Sequence, residues 1–347
     1  MGHKRHTVAL AGLGNRGKLH LRGILRNADR FELKGICDIN GRKLEEASRE
    51  NGIKETFADA GEMLASTKPD VFVFVTQPDV RLPMVELAVR HKVRGLAFEK
   101  PMATSLAEAH AITRLCEESG IKAVVSHQQK YLTSMQAMKR VVDSGDIGKI
   151  TQINVSTKGW MSPIGTHYMD YAIWANGGRK AKWVVGHVNG KGKLSDISPS
   201  PDYAMGQVEF ENGVRLFTEN GYLSKARFPA DEKYWLDNRI TVYGTTGYVW
   251  AETDGIWGGC VRGELQGGQG GTWGEQEPDL QVAYLSDFAD WLDDDAKVHP
   301  CNIGVSYHGY EILEALCASA IGNKVVRFPV DVGSMPDMIS VMRETLT

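Results

Sequence analysis

Near its start the chain runs a short apolar stretch, Thr7-Val8-Ala9-Leu10-Ala11, straight into Gly12-Leu13-Gly14-Asn15-Arg16-Gly17. A β-prone run without a polar face has to be buried on both sides, as in a parallel sheet covered by helices. The three glycines then have separable uses. Gly12 permits a tight turn, Gly14 lets backbone amides approach a pyrophosphate, and Gly17 lets the next helix pack close to the sheet. Lys18 to Arg26 carries Leu21, Ile24 and Leu25 at helical spacing, so the amides and partial positive charge of a helix start would face the phosphates. In a chain with 38 glycines the spacing by itself is weak, and an ordinary strand-to-helix turn could carry it. The strand before and the helix after give it weight.

The same grammar continues. Phe31 to Cys37 reads as a second strand ending in Asp38, and Gly41 to Asn51 as a helix closed by Gly52. Val71 to Val75 is an unbroken β-prone run stopped by Thr76-Gln77-Pro78, followed by a helix from Leu82 to His91. Gly95 to Phe98 is a strand ending in Glu99-Lys100-Pro101. Ser105-Leu106-Ala107-Glu108 has the pattern of a capping box and opens a helix to about Ser119, and Lys122 to Ser126 is one more strand. Strands alternating with helices imply parallel βαβ units.

After about residue 127 the pattern changes. Ala204 to Phe210 and Val214 to Thr218 alternate around Asn212-Gly213, and Ile240 to Tyr243 and Tyr248 to Ala251 flank Gly244-Thr245-Thr246-Gly247. Both read as hairpins of an antiparallel sheet. Two later helices are marked by Leu285, Phe288, Ala289 and Leu292, and by Ile312, Ala315, Leu316 and Ala320. Gly255 to Gly274, glycine-rich with Trp257 and Trp273, reads as a surface loop. The predicted fold is therefore α/β in two domains: residues 1–126, a Rossmann dinucleotide-binding domain, and residues 127–347, an α/β domain with an open, mainly antiparallel sheet. The cleft between them is the expected site.

Composition removes several classes of function. A net charge of −3 leaves no basic field for a phosphate backbone, so nucleic acid is not an expected partner. No apolar run approaches the roughly 20 residues of a membrane span. Five scattered cysteines without a C-x-x-C pair suit reduced thiols in a cytoplasmic protein and provide no metal framework.

Chemistry concentrates on a few residues. Asp38 lies about 20 residues beyond Gly17, where a carboxylate can accept from a ribose 2′-hydroxyl and repel a 2′-phosphate. That favours NAD, although Arg42 close by leaves NADP possible; a plain strand-end turn residue is the alternative. Lys100 follows a parallel strand at the carboxyl edge, where such sheets bind ligands, although lone turn lysines are commonly solvated. His167 has an imidazole suited to accepting a hydroxyl proton near neutral pH, or it is a structural histidine. Asp170, three residues on, either orients His167 across one helix face or serves the helix start. Trp160 and Tyr222 are candidate walls for a sugar ring, or core aromatics.

Several motifs together resemble the family of glucose–fructose oxidoreductase, inositol dehydrogenase and MocA. They are Gly-Leu-Gly-Asn-Arg-Gly, Cys37-Asp38, Thr76-Gln77-Pro78, Glu99-Lys100-Pro101, Gly145-Asp146-Ile147-Gly148-Lys149-Ile150, Gly165-Thr166-His167-Tyr168-Met169-Asp170 and Val242-Tyr243-Gly244-Thr245-Thr246-Gly247. The resemblance covers nearly the whole chain. It implies a nicotinamide cofactor that oxidises a hydroxyl of a sugar or polyol, with Lys100 on the reacting oxygen and His167 as proton acceptor. It also implies Gly12, Gly14, Asn15, Arg16, Gly17, Asp38, Thr76, Pro78, Glu99, Lys100 and Gln128 as the cofactor set, Lys130 or Tyr131 on the substrate, no metal, and a homodimer or homotetramer joined through the exposed sheet face. Two positions depart from the family pattern. Pro163 stands where many members carry an aspartate four residues before the histidine, and Arg81 stands where a histidine is frequent. Pro163 brings in an NAD-dependent redox-neutral glycosidase or lyase, acting by transient oxidation and elimination, as an alternative. A non-catalytic NAD-sensing regulator is a third reading.

Overall fold

The apolar runs of the first third pair into one six-stranded sheet. The computed structural model, which describes residues 5–224 and 231–347, orders its strands Thr56–Phe57, Phe31–Cys37, His6–Ala11, Val71–Phe74, Gly95–Glu99 and Lys122–Ser126. All pairings are parallel. Val8, Leu10, Phe72, Val73, Phe74 and Leu96 are fully buried, as expected of strands covered on both faces. The order runs outward in both directions from His6–Ala11 and Val71–Phe74, so the carboxyl ends of these two strands form the topological switch point. The glycine loop begins there.

Two compact units emerge. One comprises Met1–Ala103, His110–Gln128 and Glu277–Gly304; the other comprises Thr104–Ala109, Gln129–Gln276 and Val305–Thr347. The sequence suggests one division after residue 126, whereas the chain returns to the first unit at Glu277. The reason is visible in the helix Trp273–Asp293. Beyond Glu277 its Phe288 and Leu292 side chains approach within 3.0 Å of where a Cβ on Gly95 would stand. Asp279 bonds Arg22 and Arg26 of the first helix, and Asn27 Nδ2 donates to the Val282 carbonyl at 2.9 Å. These residues therefore finish covering the parallel sheet.

The second unit is built on a nine-stranded sheet in the order Glu264–Gln269, Ile256–Val261, Tyr248–Glu252, Asn238–Gly244, Ile150–Thr157, Arg215–Gly221, Tyr203–Phe210, Ala181–Asn189 and Val326–Arg327. One pairing, Ile150–Thr157 with Arg215–Gly221, is parallel; the others are antiparallel. Both predicted hairpins are present, and Gly213 turns the first with φ +80°.

The reading of Gly255 to Gly274 as a loop is corrected. Most of it is a hairpin of Ile256–Val261 against Glu264–Gln269, turned by Arg262 and Gly263, both at positive φ. Every residue of the outer strand is exposed, so no buried face imposes the apolar alternation by which a strand is recognised. The glycines have a packing role: a Cβ on Gly258 would stand 2.9 Å from the Trp250 ring.

One sheet face is roofed by helices. Gly186 and Gly206 face each other across two strands, and a Cβ on either would stand within 2.6 Å of Leu316 atoms in the helix Ile303–Gly322. The other face is open. Val185, Met205 and Phe217 are 41%, 45% and 37% exposed, and the register sets Val185 and Phe217 on either side of Gln207. Among the described residues no helix is long and apolar enough to cross a membrane, no cluster of side chains is suited to a metal ion, and no cysteine forms a disulfide.

Candidate active site

In the first unit the site is built from the glycine loop upward. A Cβ on Gly12, whose φ is +92°, would lie 2.3 Å from the Val75 carbonyl oxygen, and one on Gly17 would lie 2.0 Å from the carbonyl oxygen of Gly12. Neither position admits a side chain. Gly14 differs, because nothing lies within 4 Å of where its Cβ would be. It caps the helix Asn15–Arg26 without any side-chain hydrogen bond to the helix start. Open space over an uncapped helix start is what a pyrophosphate needs. Asn15 is exposed and Arg16 half-buried.

Asp38 closes the other side of the loop. One carboxylate oxygen accepts from the Leu13 amide at 2.6 Å and the other from the Asn40 amide at 2.8 Å. Each oxygen keeps a lone pair, and the residue is half-exposed, so a ribose hydroxyl can still donate to it. Next to it stands Ile39, 95% exposed. An isoleucine left in water beside a candidate ribose site fits the flat apolar face of an adenine, and sequence reading passed over it. The apolar residue following the strand-end acid was the available signal. These features together fit a dinucleotide.

At the carboxyl end of the next strands the unit buries charge. Glu99, which is buried, takes a hydrogen bond from His20 Nε2 at 3.0 Å and lies 3.5 Å from Arg16 Nε. Arg16 also pairs with Glu277. The Gln281 amide lies 2.8 Å from His20 Nε2 and donates to Ser126 Oγ at 2.9 Å. Gln128, with its amide turned to satisfy its neighbours, donates to the Ser126 carbonyl at 2.8 Å and accepts from Arg16. Arg16, Glu99 and Gln128 of the expected cofactor set therefore form one network. It also includes His20 and Gln281, which sequence reading missed.

Burial alone would raise the Glu99 pKa. The His20 hydrogen bond and the charges of Arg16, His20 and Lys100 outweigh it and hold this carboxyl below the ordinary range. Lys100 is half-buried and its pKa is lowered. Burial is the main cause; Glu99 opposes it, while Arg16 and Arg81 add to it. Arg81 is buried and its guanidinium lies 3.4 Å from the carbonyl oxygens of Thr76 and Lys100. It thus ties the two strand ends together. Thr76 is half-exposed, Pro78 is buried, and the Lys100–Pro101 peptide bond is cis.

The second unit holds the remaining candidates. His167 and Asp170 lie on the helix Thr166–Ala175, both buried. His167 Nδ1 is 2.9 Å from the Tyr171 hydroxyl, which donates to Gln129 Oε1 at 3.3 Å. Asp170 is 2.5 Å from Lys130 Nζ, and both side chains are fully buried. Asp170 is thus engaged in an ion pair, which offsets the desolvation of both groups. Gln129 and Lys130 are neighbours on the short turn Gln128–Tyr131, so consecutive side chains grip consecutive positions of the His167 helix. Pro163 sits in the π-turn Met161–Gly165 that leads into that helix. Trp160 precedes this turn; Lys193 Nζ stands 4.2 Å from its ring centroid and Tyr234 packs at 4.7 Å. Tyr131 is half-buried, and Tyr222 is exposed, its carbonyl accepting from Lys158 Nζ at 3.0 Å.

Comparison with known proteins decides the family. Residues 6–127 match the domain described as the oxidoreductase family's NAD-binding Rossmann fold, and residues 135–250 match the GFO/IDH/MocA C-terminal domain. The chain belongs to the GFO/IDH/MocA oxidoreductase family. Over 145 residues it is 31% identical to D-apiose dehydrogenase of Paraburkholderia graminis, a match covering 42% of this chain and 38% of that one. The aligned segment thus spans well under half the length of that relative. A longer match, 24% identical over 266 residues, covers 71% of this chain and 73% of scyllo-inositol 2-dehydrogenase (NAD(+)) of Bacillus subtilis. Among solved structures, an oxidoreductase from Agrobacterium radiobacter in complex with NAD+, L-tartaric acid and magnesium superposes with a TM-score of 0.77 at 20% identity. That likeness, one of fold, covers 96% of this chain and 100% of the other.

The Glu99 network makes a testable statement about pH. Its ordinary pKa is 4.5 and the folded value is lower, so the folded state stays ionised where the unfolded chain binds a proton. The stability this confers is present above about pH 4.5 and is lost as pH falls toward the folded value, by at most about 1.4 kcal/mol per pH unit. Glu99→Gln is expected to lower stability at pH 7 and to flatten its decline between about pH 5 and 3. Denaturant midpoints measured across that range check this, and parallel curves for the two proteins would remove the assignment.

Proposed function

We propose that the protein is an NAD-dependent oxidoreductase that transfers a hydride between a sugar or polyol hydroxyl carbon and nicotinamide. The observation carrying this reading is the buried charge network around Glu99 and Lys100, at the carboxyl edge of a sheet whose glycine loop and Asp38 fit a dinucleotide. The names of the relatives agree with it, since two of them act on D-apiose and scyllo-inositol.

When bound, the nicotinamide supplies the hydride acceptor; the chain's own groups do the rest. Gly12, Gly14, Asn15, Arg16 and Gly17 hold the pyrophosphate side of the cofactor. Asp38 holds the adenosine ribose and disfavours a 2′-phosphate. Thr76, Pro78, Glu99 and Gln128 complete its binding set. His167 takes the hydroxyl proton. Lys100 donates a hydrogen bond to the developing alkoxide, in a setting where its charge is little screened by water. Tyr131, Asp170, Trp160 and Tyr222 belong to the substrate side, Asp170 through its grip on the turn that carries Tyr131.

Pro163 supports a second reading. Without an aspartate to join the proton relay, the enzyme would oxidise its substrate transiently, eliminate a glycosidic group and return the hydride, giving cleavage without net oxidation. A panel of polyols, aldoses and glycosides incubated with NAD separates the two. NADH absorbance is expected to rise with at least one free sugar or polyol; sugar release without a rise would favour the redox-neutral reaction, and neither would overturn both. Lys100→Ala is expected to abolish turnover while leaving NAD affinity within about tenfold. A folded variant with normal rate would remove Lys100 from the chemistry.

The open sheet face bearing Val185, Met205 and Phe217 supports a homodimer or homotetramer, because apolar patches of this kind mark contact surfaces. Light scattering is expected to give two or four times the chain mass, and Phe217→Glu to lower it. A monomer at micromolar concentration would contradict this.

A further inference from the structure

We infer that Tyr171 and Gln129 set the tautomer of His167, replacing by a different route the orienting group that Pro163 cannot supply. The inference rests on the reading of His167 as proton acceptor.

A tyrosine hydroxyl has one proton to donate. In the structure that proton is directed to Gln129 Oε1, a carbonyl oxygen that can only accept, at 3.3 Å. Toward His167 Nδ1, 2.9 Å away, the same hydroxyl is left to act as acceptor. The Nδ1 nitrogen must then carry the hydrogen and donate it, which places the ring's lone pair on Nε2. His167, Tyr171 and Gln129 are all buried, so bulk water does not compete for these bonds. A buried polar group left without its partner is costly enough to make one tautomer dominate. An imidazole works as a base only through the nitrogen that lacks a hydrogen, so this chain of two bonds determines which edge of His167 can receive a proton.

The geometry also explains why the arrangement is rigid. Tyr171 is one helical turn beyond His167, at the spacing where side chains on a helix meet. Its ring packs against Tyr168 at 5.2 Å between centroids, and the Tyr168 hydroxyl bonds Asn238 and Thr253. Gln129 sits beside Lys130, whose ion pair with Asp170 pins the turn to the same helix. Neither Tyr171 nor Gln129 need touch substrate; both act through His167 and are positioning residues.

The test reads the tautomer directly. Protein with 15N-labelled histidine rings, held about two pH units above the ordinary imidazole pKa, gives long-range 1H–15N spectra; His167 is assigned by its loss in His167→Gln. The wild-type ring is expected to carry its hydrogen on Nδ1. Tyr171→Phe keeps the ring and removes the acceptor, so a mixture of tautomers is expected. With it kcat should fall by about tenfold or more, a part of what a general base contributes, with NAD affinity unchanged. Gln129→Met frees the tyrosine proton to turn toward Nδ1 and is expected to move the hydrogen to Nε2. A wild-type ring protonated on Nε2, a tautomer unchanged in both variants, or a tautomer that changes while kcat does not, would each overturn the proposal. Normal turnover by His167→Gln would instead refute His167 as the base, and the tautomer spectra would still stand as measured.

Discussion

The first unit depends on a contact between backbones that excludes side chains. Where Gly12 leaves its strand, the space for a Cβ is already taken by the Val75 carbonyl, and the first turn of the helix leans on Gly12 so closely that Gly17 cannot carry one either. The two central strands, the loop and the helix are thereby fixed as one piece. Gly14, between them, is left facing open space. A fold that closes two glycine positions against itself and leaves the third open has built a surface for something else to occupy. Asp38, anchored through the Leu13 amide, extends that surface with a half-exposed carboxylate.

Around this scaffold the chain buries charge in pairs and networks. Glu99 with His20 and Arg16 in the first unit, and Lys130 with Asp170 in the second, would each be costly if one partner were removed. Their function is positional. The first sets the electrostatics at Lys100, and the second fixes the turn beneath the His167 helix. His167 is thereby held by buried polar partners, the condition under which a side chain keeps one orientation, while Lys100 lies in the field of Glu99, Arg16 and Arg81.

Much of the fold was legible because it rests on short-range rules. The parallel strands declared themselves through unbroken apolar runs, and the Asn212-Gly213 hairpin through its turn residues. The hairpin at Ile256–Gln269 was not legible, because an exposed strand held by backbone bonds has no side-chain period to read. The return of the chain to the first unit at Glu277 was hidden for another reason. Its helix has an apolar face that would suit either sheet, and only three-dimensional packing shows that the partner is Gly95 with Gly23. At the site, Lys100, His167 and the glycines stood out through motif and resemblance. Tyr171 carried a signal in its spacing of four from His167. Gln129 carried none, since its partner lies 42 residues away. Trp160, expected as a sugar wall, also has the Lys193 ammonium 4.2 Å from its ring centroid, a contact between segments that sequence spacing does not reveal.

The family's C-terminal domain and Rossmann domain together account for most of the chain, and the departures at Pro163 and Arg81 give this member its own character. Arg81, where a histidine is frequent in the family, braces Thr76 and Lys100 from within. Direct hydride transfer from a carbinol carbon is decided by an isotope. Polyols and sugars deuterated at their carbinol carbons should, with this protein and NAD+, yield reduced nicotinamide carrying one deuterium by mass spectrometry. A panel in which NAD is bound yet no substrate delivers its label to the nicotinamide, free or enzyme-held, would rule that transfer out.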